Sequence, residues 1–126
     1  YPQAEEFFRR MVFNVVACNQ DDHTKNISFL MRENGVWELS PAYDMGYSYN
    51  PNGGWTATHQ MSINGKFDNI TRADLLECGT KNNIKEAPMI IDEVCEIASQ
   101  WPSIAKECEV PQVMIDKVVK NMLLNI

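Results

Sequence analysis

The chain changes hydrophobic period early, and the change encloses its most heavily equipped stretch. From about Gln3 to Cys18, Phe8, Met11, Val12, Val15 and Val16 recur at spacings of three and four. Glu5, Glu6, Arg9 and Arg10 occupy much of the opposite side, which is the pattern of an amphipathic helix. Acidic residues in its first turns suit the helix dipole. Ile27–Arg32 and Val36–Ser40 are two short runs rich in β-formers around Asn34-Gly35, a dipeptide in which both residues tolerate positive φ. That is the strongest short-range hairpin signal. Between helix and hairpin lie Asn19-Gln20-Asp21-Asp22-His23-Thr24-Lys25-Asn26, with none of the Gly, Pro or Ser of an ordinary connector. Carboxylates, an imidazole, an ammonium and a carboxamide there are suited to handling metal ions and phosphates.

After the hairpin, Pro41-Ala42-Tyr43-Asp44-Met45-Gly46 opens an irregular stretch holding Tyr47, Tyr49, Gly53, Gly54 and Trp55. A loop this long in a single domain is functional or mobile. Thr58–Ile63 reads as a short strand ending at the Asn64-Gly65 turn. Helices then take over. Thr71-Arg72-Ala73-Asp74 is an acidic capping box, with Ile70 and Leu75 placed as a hydrophobic staple and Gly79 as the stop. Pro88 opens a longer helix whose stripe is Ile91, Val94, Cys95, Ala98 and Trp101. Pro111 opens the last, with Met114, Ile115, Val118 and Met122 as its stripe. Both stripes read as core. The fold class expected is mainly α (α+β), with one β-hairpin and a helical C-terminal half.

A length of 126 residues suits one domain with a real core, residues 1–126. The net charge of −6 argues against direct nucleic-acid binding, which needs clustered Lys and Arg. No apolar run approaches the roughly 20 residues that span a bilayer. Cys18, Cys78, Cys95 and Cys108 have no CxxC spacing, so reduced thiols and a cytoplasmic setting are expected. The first residue is Tyr1, with neither an initiator Met nor a signal-peptide pattern, and a piece of a longer polypeptide is expected.

The chemistry is carried by spacing. Asp21 and Asn26 have four residues between them, as in the Asp-x-x-x-x-Asn catalytic loop of protein kinases. In that loop the Asp takes the proton of the attacking hydroxyl and the Asn holds Mg²⁺. A hairpin should follow and deliver a second, magnesium-binding Asp, and here the hairpin leads to Asp44-Met45-Gly46, a relative of Asp-Phe-Gly. Any one of these features is weak, and their order makes them specific.

The run from Phe13 to Leu30, with its Asn-x-Asp-Asp-His-x-Lys-Asn core, resembles the HipA family of kinases, the toxin components of bacterial toxin–antitoxin pairs. So does Leu39-Ser40-Pro41-Ala42-Tyr43-Asp44-Met45, and Asn64-Gly65-Lys66 before a helix fits as well. The resemblance covers most of the first 80 residues. It implies the C-terminal lobe of a two-lobed serine/threonine protein kinase, with ATP as co-substrate, Mg²⁺ as cofactor and a DNA-binding antitoxin as partner. By it Asp21 is the catalytic base, with His23 and Lys25 in the same motif, and Asn26 and Asp44 hold the metal and nucleotide. Lys25 would meet a phosphate or neutralise Asp21, and His23 would brace the loop. The His-Arg-Asp order is absent, Asn19-Gln20 preceding Asp21 instead, which favours this family over eukaryotic-type kinases. No glycine-rich loop or phosphate-binding strand Lys is found in this chain, so the fragment alone is expected to be inactive.

Blander readings stand beside this one. Asp21 and Asp22 taken alone would be loop or cap residues. Asp-Asp-His with Asp44 could be a hydrolytic metal site, although His59 is the only other histidine and falls where a surface role is the default. Tyr43, Tyr47, Tyr49 and Trp55 could stack bases, but packing around the loop or protein docking suits the acidic chain better. A kinase-shaped interaction module without catalysis is disfavoured, because Asp21, Asn26 and Asp44 are all present.

Overall fold

In the computed structural model, which describes residues 2–126, the first apolar stripe becomes helix α1 (Pro2–Val16). Its buried face is Phe8, Val12, Val15 and Val16. That face packs chiefly on α3 (Ala87–Ser99), whose Ile90, Ile91 and Val94 are also buried. Full burial of such side chains contributes roughly 1.5–3 kcal/mol each. Helix α2 (Arg72–Lys81) adds Leu75 to the same cluster, and Ile63, Ile70 and Ile84 close it. Helices α4 (Trp101–Glu107) and α5 (Gln112–Asn121) pack on each other and reach the rest through α3 and the segment after α5. Leu123 N–H donates to the Val16 carbonyl at 3.0 Å. Among the described residues, five α-helices and one two-stranded antiparallel sheet make the fold mainly helical. No helix among the described residues is long and apolar enough to cross a membrane.

The hairpin is β1 (Phe29–Met31) paired with β2 (Trp37–Leu39), in the register Phe29↔Leu39, Leu30↔Glu38 and Met31↔Trp37. The ladder is shorter than the two runs of β-formers. Its turn also differs from the expected one, for only Gly35 takes positive φ (80°) and Asn34 does not. Gly35 N–H donates to Arg32 O, and Arg32 N–H to Val36 O. This is a three-residue connection, a turn followed by a left-handed glycine. The two-residue form with both φ positive occurs instead at Asn64 (51°) and Gly65 (77°), where Ile63 and Lys66 exchange both backbone hydrogen bonds. Thr58–Ile63 is not a strand, because that exchange is an isolated bridge with no ladder to extend.

The capping box at Thr71 and Asp74 is present with both of its reciprocal bonds. Gly79, however, does not stop α2. It lies buried inside the helix, where a Cβ would come within 2.5 Å of the Ala87 Cβ. Its missing side chain lets α2 approach α3. The stop is Asn83, left-handed at φ 56°, with Asn83 N–H donating to Thr80 O and Ile84 N–H to Gly79 O, a Schellman arrangement. Trp101 does not continue the α3 stripe. Pro102 cannot follow a continuing helix, so α3 ends at Ser99 and Trp101 begins α4. In the last helix Ile115 and Val118 are buried, Met114 is exposed, Met122 is the C-cap and Pro111 stands just before the first turn.

Asp74 does more than cap. Asn64 Nδ2, Lys66 Nζ, and Thr71 N and Oγ1 all donate to its carboxylate at 2.8–3.0 Å. Those bonds, Asn64's and Lys66's foremost, hold its carboxyl well below the usual carboxylate range.

Two stability predictions follow from α2. Gly79→Ala should destabilise the fold by about 1–3 kcal/mol through overpacking. Ala87→Gly in the same chain should recover part of that loss, as a denaturation double-mutant cycle would show. Because the folded-state pKa of Asp74 is depressed, its stabilisation is present above the ordinary carboxylate pKa of about 4 and is lost as pH falls below it. Asp74→Asn should therefore be less stable than wild type near pH 7, and the gap should narrow steadily in denaturation curves taken toward pH 2.

Candidate active site

Helix α1 ends where the polar octet begins. Cys18 is left-handed (φ 55°), Cys18 N–H donates to Val15 O and Asn19 N–H to Asn14 O, so the chain reverses in a Schellman turn without glycine. A non-glycine residue there is strained, and its surroundings hold it. Ser48 N–H donates to Cys18 O and Gln20 N–H to Ser48 O, a one-residue parallel bridge. The Cys18 Sγ–H donates to Asn121 O at 2.9 Å, and burial pushes this thiol up to about 11. It is a structural thiol, not a nucleophile.

The octet then folds into a single 3₁₀ turn, Thr24–Asn26. Asn26 N–H donates to His23 O, and the turn brings the Asn26 side chain back over Asp21. Asn26 Nδ2 donates to the Asp21 backbone oxygen at 3.3 Å and to Asp44 Oδ2 at 2.9 Å. Residues from either side of the hairpin thereby meet. Asp44 has φ 52°, a conformation that Asp tolerates better than most residues. Its neighbour Tyr43 donates its hydroxyl to Lys25 O at 3.1 Å. The hairpin itself is anchored to α1 by Arg10 Nη2 on Ser40 O and by Leu39 N–H on Gln3 Oε1.

Asn26, Asp44 and His23 border a cleft of about 70 Å³, which runs back to Met11 and Asn14 of α1 and to Met61. Asp22 is among the residues lining the cleft and Asp21 is not; the Asp21 side chain is 48% exposed, where it can meet an incoming group. His23 Nε2 is 3.9 Å from Asp21 Oδ1, and His23 Nδ1 is buried with no hydrogen-bond partner. Lys25 is exposed, and it is the His23 ring, not Lys25, that comes within 3.9 Å of the Asp21 carboxylate.

The brace of the loop is Asp22. Its Oδ2 lies 2.8 Å from His59 Nδ1, and its Oδ1 accepts Gln60 N–H at 2.8 Å. Both side chains are buried, so His59 is not the surface residue that its polar neighbours Thr58 and Gln60 imply. No local signal could have placed it, since the partner lies 37 positions earlier. Among the aromatics, the Tyr47 hydroxyl accepts from Asn121 Nδ2 at 3.0 Å and fastens the loop to α5, while Trp55 is 86% exposed.

The donor set is made of hard oxygens. Asn26 spends both amide hydrogens on protein oxygens, so its Oδ1 is used in neither contact. Two protein oxygens, with the remaining positions left to phosphate and water, is the way Mg²⁺ is held. Among the described residues no three His, Cys, Asp or Glu gather as a metal cage. Asp22 and His59 are committed to each other, so the ligand set of a hydrolytic metal site is not assembled.

Comparison with known proteins gives the family. A family profile described as "HipA-like C-terminal domain" matches residues 1–102. A Sinorhizobium fredii protein named "Putative kinase Y4dM" is 31% identical over 101 residues, covering 79% of this chain and 24% of the relative. The chain therefore spans about a quarter of that relative's length. No solved structure matches it significantly. With the profile covering most of its length, the chain belongs to the HipA-like C-terminal domain family.

Proposed function

We propose that this chain is the catalytic C-terminal lobe of a HipA-like serine/threonine protein kinase. The reaction is Mg²⁺-assisted transfer of the ATP γ-phosphoryl group to a hydroxyl on a protein. The observation that carries the reading is the 2.9 Å bond from Asn26 Nδ2 to Asp44 Oδ2, made by an amide that also holds the Asp21 backbone. One side-chain amide thus ties together the two ends of the kinase-like motif.

In this reading the half-exposed Asp21 carboxylate accepts the proton of the attacking hydroxyl. Asn26 Oδ1 and the Asp44 carboxylate hold the metal, which when bound neutralises charge on the ATP phosphates. Exposed Lys25 lies where it can meet a phosphate, and His23 shapes the cleft beside Asp21. No covalent intermediate is required, because positioning and charge neutralisation supply most of the rate in phosphoryl transfer. The elements that would cover the nucleotide are not in this sequence, so we expect the chain on its own to transfer little or nothing. The same reading extends to a role as the toxin of a toxin–antitoxin pair, with a DNA-binding partner, which the family membership supports.

The test uses the full-length protein with labelled ATP and Mg²⁺. Phosphate should reach the protein itself or a protein substrate, and Asp21→Asn should lower the rate at least about 10²-fold, the scale of general-base removal. Asp44→Asn should do likewise and raise the Mg²⁺ requirement. Undiminished labelling in both variants would sink the kinase assignment. Tight partner binding with no transfer, indifferent to both substitutions, would mark a non-catalytic interaction module instead.

A further inference from the structure

The hydrophobic cluster that holds the helices together takes no residue between Val16 and Ile63. The whole candidate site lies in that interval, so polar ties must hold its position. They include Asn19 with Ser48, Arg10 with Ser40, Tyr47 with Asn121, and Asn26 with Asp44. Each of these side-chain ties is exposed or only partly buried. The contact between Asp22 Oδ2 and His59 Nδ1 differs, with side chains only 5% and 3% exposed. A hydrogen bond shielded from water is electrostatically stronger, and breaking it strands a buried polar group.

We propose that His59 is a positioning residue of the phosphoryl-transfer site, acting through Asp22 on Asp21; this rests on the kinase reading above. The path is short. Asp22 has one oxygen on His59 and the other on Gln60 N–H, so both its side chain and its Cα are fixed. Asp21 is its chain neighbour, with a side chain half exposed where that of Asp22 is buried, so fixing the Asp22 backbone limits where the Asp21 carboxylate can reach. His59 is itself held, because its N–H donates to Phe67 O at 2.8 Å across the Asn64-Gly65 turn. Lys66 of that turn pairs with Asp74 at 2.9 Å in the first turn of α2. Helix α2, which lends Leu75 to the apolar core, is thereby connected to Asp21 through polar contacts and the chain neighbours between them. The same pair clamps the far end of the segment that begins at Asp44, so loop and segment are ordered together.

Two variants in the full-length protein test this. His59→Phe keeps a ring of similar volume and removes the donor, whereas His59→Asn keeps an N–H close to the place of Nδ1. His59→Phe should lower kcat about 10²-fold, the effect of displacing a reacting group by about 1 Å. His59→Asn should recover most of the rate. A residue needed only for folding would lower the folded fraction and leave kcat per folded molecule unchanged, and that result overturns the proposal. Hydrogen exchange gives a readout independent of activity. The Asn26 and Ile27 amides should exchange at least about 10-fold faster in His59→Phe, while Ile91 and Val94 in α3 stay protected. Unchanged exchange at Asn26 and Ile27 overturns the proposal. If the wild-type protein transfers no phosphate, the kinase reading fails, and exchange alone decides whether His59 positions the loop. Should His59→Phe fail to fold, Asp22→Asn serves in its place, and wild-type kcat and exchange in that variant would count against the proposal.

Discussion

The packing of α1 against α3 is the constraint on which the rest of the structure depends. Phe8, Val12 and Val15 on one side and Ile90, Ile91 and Val94 on the other bury their stripes in a shared cluster. That contact fixes where α1 ends and the direction in which its end points. Two outer charge pairs, Arg9–Glu93 between α1 and α3 and Arg72–Asp92 between α2 and α3, lie at 2.6 and 2.8 Å on partly exposed side chains. Surface pairs of this kind contribute at most about 1 kcal/mol each. They choose register more than they add stability. Because Val16 also accepts Leu123 N–H, the far end of the chain helps hold the point where the polar octet begins.

Beyond that point the principle of construction changes. The helices are placed by apolar burial, which is strong and non-directional. The site is placed by hydrogen bonds, which are individually modest but specify geometry. Left-handed residues recur where the chain must reverse: Cys18 after α1, Asp44 after the hairpin, Asn83 after α2 and Glu109 after α4. Only Asn83 among them is a residue that commonly takes that role. At Cys18 and Asp44 the neighbouring bonds, to Ser48 and Asn26, oppose relaxation. The result is a rigid helical platform with a cross-linked polar rim.

What could be read from the residues follows the same division. Local patterns spoke clearly: the α1 stripe, the capping box at Thr71 and Asp74, and the Asn64-Gly65 turn all formed, and the hairpin around Asn34-Gly35 formed with a different turn. Spacing pointed to Asn26 and Asp44, whose side chains meet across the hairpin, while Asp21 joins them only through its backbone oxygen. Readings failed where one residue type serves two purposes. Gly79 carries the same letter as a helix stop and as a packing site, and only the position of α3 distinguishes them. Met114 fell on the wrong side of its stripe, since α5 turns only Ile115 and Val118 inward. Trp101 was legible and was misassigned, for Pro102 already marked the break. His59 was illegible in principle, because its burial depends on a carboxylate that only the tertiary fold brings near.

The three tryptophans are divided unevenly by this architecture. Trp37 on the hairpin and Trp55 beyond Asp44 are 61% and 86% exposed, and Trp101 at the start of α4 is partly buried. Unfolding changes the surroundings of the first two only slightly, since water already reaches them in the native state. Two of the three emitting side chains are thus in water in the native state, one on the hairpin between Asn26 and Asp44 and one beyond Asp44. The emission change on unfolding therefore reports chiefly on Trp101 at the start of α4, whereas Trp37 and Trp55 report on whatever meets the surface around them.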